Sequence, residues 1–260
     1  MTDADVFSID GRKKGSVAVP PVFEETVRPE LILRALNAEN THRLQPQGHN
    51  PLAGMDTTAM YYGAMNSYRT GRHMGIAIRP RQKLGGGQQG AVRRIPSSTK
   101  GRRAHPHKIE KILIERINKR EYEKAVASAI AASVNPDTKR PVVVANEMES
   151  IKRTKEMITL IRNLKLDAKI DNVDKKIRKG LRRSSKRRSY TKTLLLVVTK
   201  DGPAVKSARN IAGVDACAVR DLSVGLLAPG GRPGRTVIWS EGAISGLQAA
   251  VSKIRIGEKQ

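Results

Sequence analysis

Between Leu44 and Ile109 the chain carries no sustained apolar period, and that interruption constrains the fold more than any other feature. An amphipathic helix needs apolar residues every three to four positions, and a half-buried strand needs alternation. This stretch offers neither, being dense in Gly, Pro, Asn, Gln, Ser and Arg. Asp56 is the only acid between Leu44 and Ile109, while Arg69, Arg72, Arg79, Arg81, Lys83, Arg93, Arg94, Lys100, Arg102, Arg103 and Lys108 supply eleven cations. Such a segment cannot bury itself. A structureless insertion longer than about 15 residues is usually functional or disordered, so this one needs a partner to order it. Extended at roughly 3.3 Å per residue, with about 30 residues out and 30 back, it reaches on the order of 100 Å.

On either side of the interruption the pattern is that of a foldable core. Val17–Val19 reads as a short strand, and Pro29–Asn40 as a helix with Leu31, Ile32, Ala35 and Leu36 on one face. Helical spacing returns at Ile109, Ile112, Leu113 and Ile117, and again at Tyr122, Ala125, Val126, Ala129 and Ile130, predicting two amphipathic helices joined near Lys119. Short β-branched runs at Val142–Ala145, Leu194–Thr199, Ala216–Val219 and Thr236–Trp239 alternate with helical patterns at Ser150–Leu164, Ala204–Ala212 and Glu241–Val251. Pro203 before the middle helix and Gly213 after it are helix start and stop signals. Alternating strands and helices predict an α/β domain with a mainly parallel sheet.

A third territory, Lys175–Lys192, holds ten cations in eighteen residues and no acid, among them Arg182, Arg183, Lys186, Arg187 and Arg188. Charges that dense repel one another in isolation, so phosphates are expected to order this segment too. The chain then divides into a first core part (1–43), an extended basic loop (44–108), core (109–174), a basic RNA-contact segment (175–192) and the closing core strands and helices (193–260).

With 49 Lys+Arg against 24 Asp+Glu the net charge is +25, which points to a polyanionic partner. A membrane is the other common polyanion, but the longest uninterrupted apolar run is Leu194–Val198, far below the roughly 18 residues a span needs. The opening MTDADVFSID is acidic where a secretion signal is basic, so a cytoplasmic location is expected. Cys217, the single cysteine, allows no internal disulfide and reads as a buried strand residue.

Motifs for catalysis or cofactor binding are weak. Gly85–Gly90, GGGQQG, fits a dinucleotide fingerprint in letters only, because neither a preceding strand nor a following helix is evident. A loop tip accounts for it better. The stretch Ala228–Arg235 leads into a strand rather than opening a helix, so it reads as a turn, with Arg232 and Arg235 as candidate phosphate contacts. His105-Pro106-His107 lacks a third ligand and sits among cations; Pro106 suits the first turn of a helix carrying Ile109 and Ile112, with the histidines facing phosphate. Glu24-Glu25 and Glu147 with Glu149 are neighbours in sequence without a catalytic signature, and the chain is expected not to be an enzyme.

Tyr61, Tyr62 and Tyr68 lie within the first basic territory, where flat rings can stack on unpaired bases. No zinc finger, basic zipper or helix-turn-helix pattern is present, and irregular basic arms on an α/β core suit a folded RNA better than a DNA groove. A nucleotide-dependent enzyme would need a phosphate loop directly after a strand, and a general nucleic-acid chaperone would bind RNA and duplex DNA alike.

The runs YRTGRHMGIAIRPRQ from Tyr68, VRRIPSSTKGRRAHPHKIEK from Val92 and APGGRPGRTVIWSEGAISGL from Ala228 resemble the large-subunit ribosomal protein family conventionally numbered four, in its archaeal and eukaryotic form. The resemblance covers most of the chain. It implies a three-layer α/β core on the outside of the large subunit that contacts the large ribosomal RNA early in assembly, and a loop running inward as part of the exit-tunnel wall. By motif match, Arg72 to Arg94 holds the tip, with Arg69, Arg72, Arg79 and Arg81 contacting RNA and His73, Met74, Gln82, Gln88 and Gln89 facing the tunnel. Arg93, Arg94, Lys100, Arg102 and Arg103 anchor the returning arm, with Lys83, His105 and Lys108 alongside. The implied partners are ribosomal RNA, neighbouring ribosomal proteins and the nascent polypeptide; no cofactor, metal, membrane or homo-oligomer is expected.

Overall fold

The computed structural model describes residues 3–61, 63, 72, 75–134, 140–171, 173–179 and 186–251. Two units divide the chain, Met1–Arg43 with Ile114–Gln260 and, separately, Leu44–Leu113.

The first unit opens with β1 (Asp3–Phe7) and β2 (Lys13–Ala18), paired antiparallel, followed by α1 (Pro29–Thr41). Two short strands, β3 (Arg81–Lys83) and β4 (Gln89–Val92), belong to the second unit. The first unit resumes with α2 (Lys119–Ala131), β5 (Val142–Val144), α3 (Thr154–Asn163) and the short α4 (Ala168–Asp171). A hairpin of β6 (Lys175–Lys179) and β7 (Lys186–Tyr190) precedes β8 (Leu194–Val198) and α5 (Pro203–Arg209). The chain continues through β9 (Val214–Ala218), α6 (Val224–Leu227), β10 (Thr236–Ser240) and α7 (Glu241–Val251).

Six strands form one sheet in the order β2-β1-β5-β10-β8-β9, and every pair except β1 with β2 is parallel. Parallel strands are covered on both faces and therefore read as continuous apolar runs. That explains why all five residues of β8, LLLVV, are buried. Their alternation sends Leu195 and Val197 into one cluster with residues of α1, α2 and α7, and Leu194, Leu196 and Val198 into another with residues of α3 and α5. Two apolar clusters flank one sheet, so the expected three-layer α/β core is present. Phe23 meets Trp239 edge-on in the first cluster, with ring centroids 5.5 Å apart, an arrangement worth about 1 kcal/mol beyond area burial.

Several elements depart from the sequence expectation. Tyr122 to Ile130 lies in α2 as expected, but residues 111–118 form no helix, and Ile109 and Ile112 stand 68% and 87% exposed. A helix this short is marginal in water unless its apolar face is buried, and these side chains have no buried face to join. Pro106 consequently opens no helix. The helix expected from Ser150 begins instead at Thr154, because Asn146–Ser150 forms a separate 3-10 turn that presents Glu149 to Thr199 and Ser240. Strand β1 and the β6/β7 hairpin have no counterpart in the sequence reading. Within β6 and β7 the only apolar residue besides Tyr190 is Ile177, so no period of two can show.

Candidate nucleic-acid interface

Ala59 is the only buried hydrophobic residue among the described residues of Leu44–Leu113. Main-chain and side-chain hydrogen bonds hold this unit instead of a core. The Asn50 side-chain oxygen accepts from the Leu52 N–H at 3.0 Å, and Met60 and Arg81 exchange main-chain bonds at 3.2 and 3.3 Å. Gly54, at φ +81°, passes so close to Gly101 that an added Cβ would sit 2.6 Å from the Gly101 carbonyl oxygen. Arg94 takes the left-handed conformation, φ 69°, at a cost of about 1–2 kcal/mol. Its guanidinium offsets that by donating to the carbonyls of Met55 (3.2 Å) and Thr57 (3.5 Å), 39 and 37 residues away. Lys100 is left-handed as well, φ 58°, with no such compensation from its own side chain.

Gly85–Gly87 forms a 3-10 turn between β3 and β4, with Gly86 at φ 72°. A strand therefore does precede the GGGQQG string, contrary to the sequence reading, but a strand and not a helix follows it, so the dinucleotide geometry is still missing.

The candidate contacts fall into three groups. Arg72, Arg79, Lys100, Arg102, Arg103, His105 and Lys108 are exposed, and none makes a side-chain hydrogen bond or ion pair to another described residue. Tyr61, Lys83, Gln88 and Gln89 are exposed too. Arg81 donates to the Ala77 carbonyl at 3.2 Å and Arg93 to the Thr99 carbonyl, so these two, with Arg94, also shape the unit; Gln82 is half-buried. Tyr62, Tyr68, Arg69, His73, Met74, Arg182 and Arg183 lie outside the described residues.

For the basic segment, the β6/β7 register sets Arg178 opposite Arg187 and Lys179 opposite Lys186. A lone two-stranded hairpin is marginal in water, and Lys186, Arg187 and Arg188 lie on its second strand.

Arg232 is exposed, but Arg235 corrects the expectation placed on it. Its side chain is only 2% exposed and is committed to the core. It donates to the carbonyl oxygens of Leu226, at 2.6 Å, and Leu194, and to the Asp215 carboxylate at 2.8 Å. Lys192 bridges to the other Asp215 oxygen. Burial pushes the Arg235 pKa down while Asp215 holds it up. No phosphate reaches those donors in the folded chain. Its neighbours in sequence, glycines and prolines of a surface turn, give no hint that it turns inward.

The sheet's carboxyl ends, where open α/β folds bind nucleotides, are filled by the chain itself. Glu149 accepts from the Thr199 N–H at 2.8 Å, the Thr199 hydroxyl at 2.7 Å and the Ser240 hydroxyl at 2.6 Å. Burial pushes its pKa up, but those hydrogen bonds outweigh it and hold the carboxyl below its ordinary range. Asn146 accepts the Gly242 N–H at 2.7 Å, so the start of α7 is occupied as well. Cys217 is buried, its thiol pushed up to about 12 chiefly by desolvation, which makes it inert. Among the described residues no group of three or more His, Cys, Asp or Glu could hold a metal ion, and no helix is long and apolar enough to cross a membrane.

One basic feature escapes the sequence reading. A cavity of about 580 Å3 is lined by Arg28, Leu31, Asn118, Lys119, Arg120, Glu121 and Lys124, at the start of α1 and in the first half of α2. The signal for it is Lys119-Arg120 in the first turn of a helix, the end that disfavours cations.

A model of the Ribosomal protein L4/L1 family matches residues 17–250. The large ribosomal subunit protein uL4 of Archaeoglobus fulgidus is 40% identical over 257 residues, covering 94% of this chain and 97% of that protein. Those of Methanococcus vannielii (39% identical, 94% and 97% covered) and Methanocaldococcus jannaschii (35%, 94% and 98%) are similar over nearly the same length.

Proposed function

The chain belongs to the ribosomal protein L4/L1 family, and from that membership we propose that it binds large-subunit ribosomal RNA, acts early in assembly, and lines the polypeptide exit tunnel with its 44–108 loop. As a member of this family it is a structural component of the large ribosomal subunit and not an enzyme. The observation that carries the proposal is a unit whose described residues bury one hydrophobic side chain, with Arg72, Arg79, Lys100, Arg102, Arg103 and Lys108 exposed and unpaired among the described residues. Threaded between RNA helices, such a strand replaces condensed counterions and screens phosphate repulsion.

In this proposal Arg72, Arg79, Arg81, Lys83, Arg93, Arg94, Lys100, Arg102, Arg103, His105 and Lys108 contact phosphate or ribose, and Tyr61 stacks on a base. Arg69, Tyr62 and Tyr68 extend that surface, and His73, Met74, Gln82, Gln88 and Gln89 face the nascent chain. Lys186, Arg187 and Arg188, with Arg182 and Arg183, form a second contact, and Arg232 a third. Neighbouring ribosomal proteins and the nascent chain are the remaining partners, and the site of action is the cytoplasmic ribosome.

Sedimentation of a tagged chain expressed in an archaeal host tests the proposal, beside a variant lacking Gly71–Gly90. Co-sedimentation with the large subunit through a high-salt wash is expected, with the deletion still assembling because the core and basic ribbon anchor it. Free protein at the top of the gradient at both salt concentrations would contradict the proposal. With about eight phosphates neutralised, log K against log salt should fall with a slope near −6, at roughly 0.7 per contact. Equal affinity for duplex DNA would favour a nucleic-acid chaperone instead.

A further inference from the structure

We infer that the cavity lined by the start of α1 and the first half of α2 is a receptor for an RNA phosphate, a core-borne anchor separate from the loop and the β6/β7 ribbon. The inference rests on the reading that the chain binds ribosomal RNA. Four cations, Arg28, Lys119, Arg120 and Lys124, line the cavity, and none is paired with an acid among the described residues. Glu121, the one acid on its wall, is bound to Arg34 at 2.7 Å, which leaves the cations uncompensated.

The location makes that excess expensive for the free protein. Helix α2 runs thirteen residues and its positive dipole end opens here, with an Asn118 N-cap side chain that makes no capping hydrogen bond, whereas α1 starts beside Ser128 near the far end of α2. Cations near a helix N-terminus are disfavoured by about 0.3–1 kcal/mol each, and Lys119 and Arg120 occupy the first turn of α2. An anion in the cavity offsets the repulsion among the cations and is itself favoured by the start of α2.

The helices that carry the cations are tied to each other in the free chain. The Arg28 N–H donates to the buried Ser128 hydroxyl at 2.7 Å, and the Arg34–Glu121 bridge adds a second tie about two turns away, so α1 and α2 run antiparallel. A cavity of about 580 Å3 has room for a phosphodiester and part of its ribose. Its lining offers one apolar side chain, Leu31, and no aromatic ring to stack a base. Backbone capture without base readout follows.

The test uses the full chain, archaeal large-subunit ribosomal RNA as probe and polyglutamate as an alternative polyanion. Arg120→Gln with Lys124→Gln is compared with the unaltered chain across a salt series, and acetylation of Lys119 and Lys124 is followed by mass spectrometry. The double variant should bind about 25-fold more weakly at 0.1 M salt, its slope shallower by about 1.4, as for two lost contacts at roughly 0.7 each. Its melting temperature should stay the same or rise, which a merely structural role would not produce. RNA should shield both lysines from acetylation.

Unchanged affinity and slope in the double variant, with the unaltered chain binding steeply, would overturn this inference and leave the RNA-binding reading intact. Shielding of the lysines by polyglutamate but not by RNA would overturn it in favour of an acidic peptide. Failure of the unaltered chain to bind RNA would overturn both.

Discussion

In the six-stranded unit Trp239, Ile238 and Leu195 lose essentially all exposure, whereas in Leu44–Leu113 the described residues bury no hydrophobic side chain but Ala59. The first unit is held by apolar burial on both faces of a sheet, which scales with area and needs no outside party. The second is held by turns, a two-strand ladder and guanidinium bonds such as those from Arg94, while Arg79, Arg102, Arg103 and Lys108 have no partner among the described residues. Hydrogen bonds exposed to water contribute little net stability. The contrast teaches that the two units answer to different variables: the first to packing, the second to counter-charge.

The sharpest way to break that contrast is to damage the packing. Trp239→Ala should cost about 3–5 kcal/mol, read as a large fall in the denaturant midpoint. A small change would mean that the sheet core does not dominate stability. Removing charge from the second unit should do the opposite: changing Arg79, Arg102, Arg103 and Lys108 together to Gln should leave thermal unfolding nearly unmoved. The same variant should flatten the salt slope of RNA binding by about 3, at roughly 0.7 per contact.

Glu149 sharpens the account of the first unit. Glu149→Ala should destabilise by about 1–3 kcal/mol at neutral pH, because the Thr199 N–H and Ser240 hydroxyl lose their acceptor. Its folded pKa lies below the ordinary 4.5, so its contribution is full above that value and is lost as pH falls through the folded pKa. Acid unfolding curves of the variant and the unaltered chain should therefore converge at low pH. The smallest effect is expected at Ile112, 87% exposed: Ile112→Ser should shift stability by less than about 0.5 kcal/mol. A larger loss would reveal packing at that residue in solution.

How far the sequence discloses the fold follows the same division. Strand β8 is legible because burial on both faces demands an unbroken apolar run, and α1 and α7 because Pro29 and the spacing of Ala243, Ile244 and Leu247 report one buried face. The alternating order of strands and helices suffices for the α/β class with a mainly parallel sheet. The spacing of Ile109, Ile112 and Leu113 misleads, since periodicity states what a helix could bury and not whether anything is there to receive it. Strand β1 is hidden by its three-dimensional role: DADVF pairs with β2 and β5 through main-chain bonds, and only Ala4 and Val6 are buried.

The candidate site is legible as charge but not as geometry. Arg79, Arg102, Arg103 and Lys108 are exposed, as the charge reading expects of cations that face a polyanion. Arg235 shows the limit, because a surface-like APGGRPGR string gives no sign that one guanidinium turns inward to Asp215. The Lys119–Lys124 cations are the converse case. They lie on a helix whose apolar period draws attention to its buried face, and only the tertiary approach of Arg28 makes a cavity of them.

Hydrogen exchange on the free chain and on the same chain within assembled large subunits tests the division most directly. In the free chain the amides of β8 and β10 should be protected to near the global unfolding limit, while those of Leu44–Leu113 exchange orders of magnitude faster; on the subunit, both should be protected. Strong protection of Leu44–Leu113 in the free chain, or its persistent fast exchange on the subunit, would contradict the claim that RNA supplies the order this unit lacks.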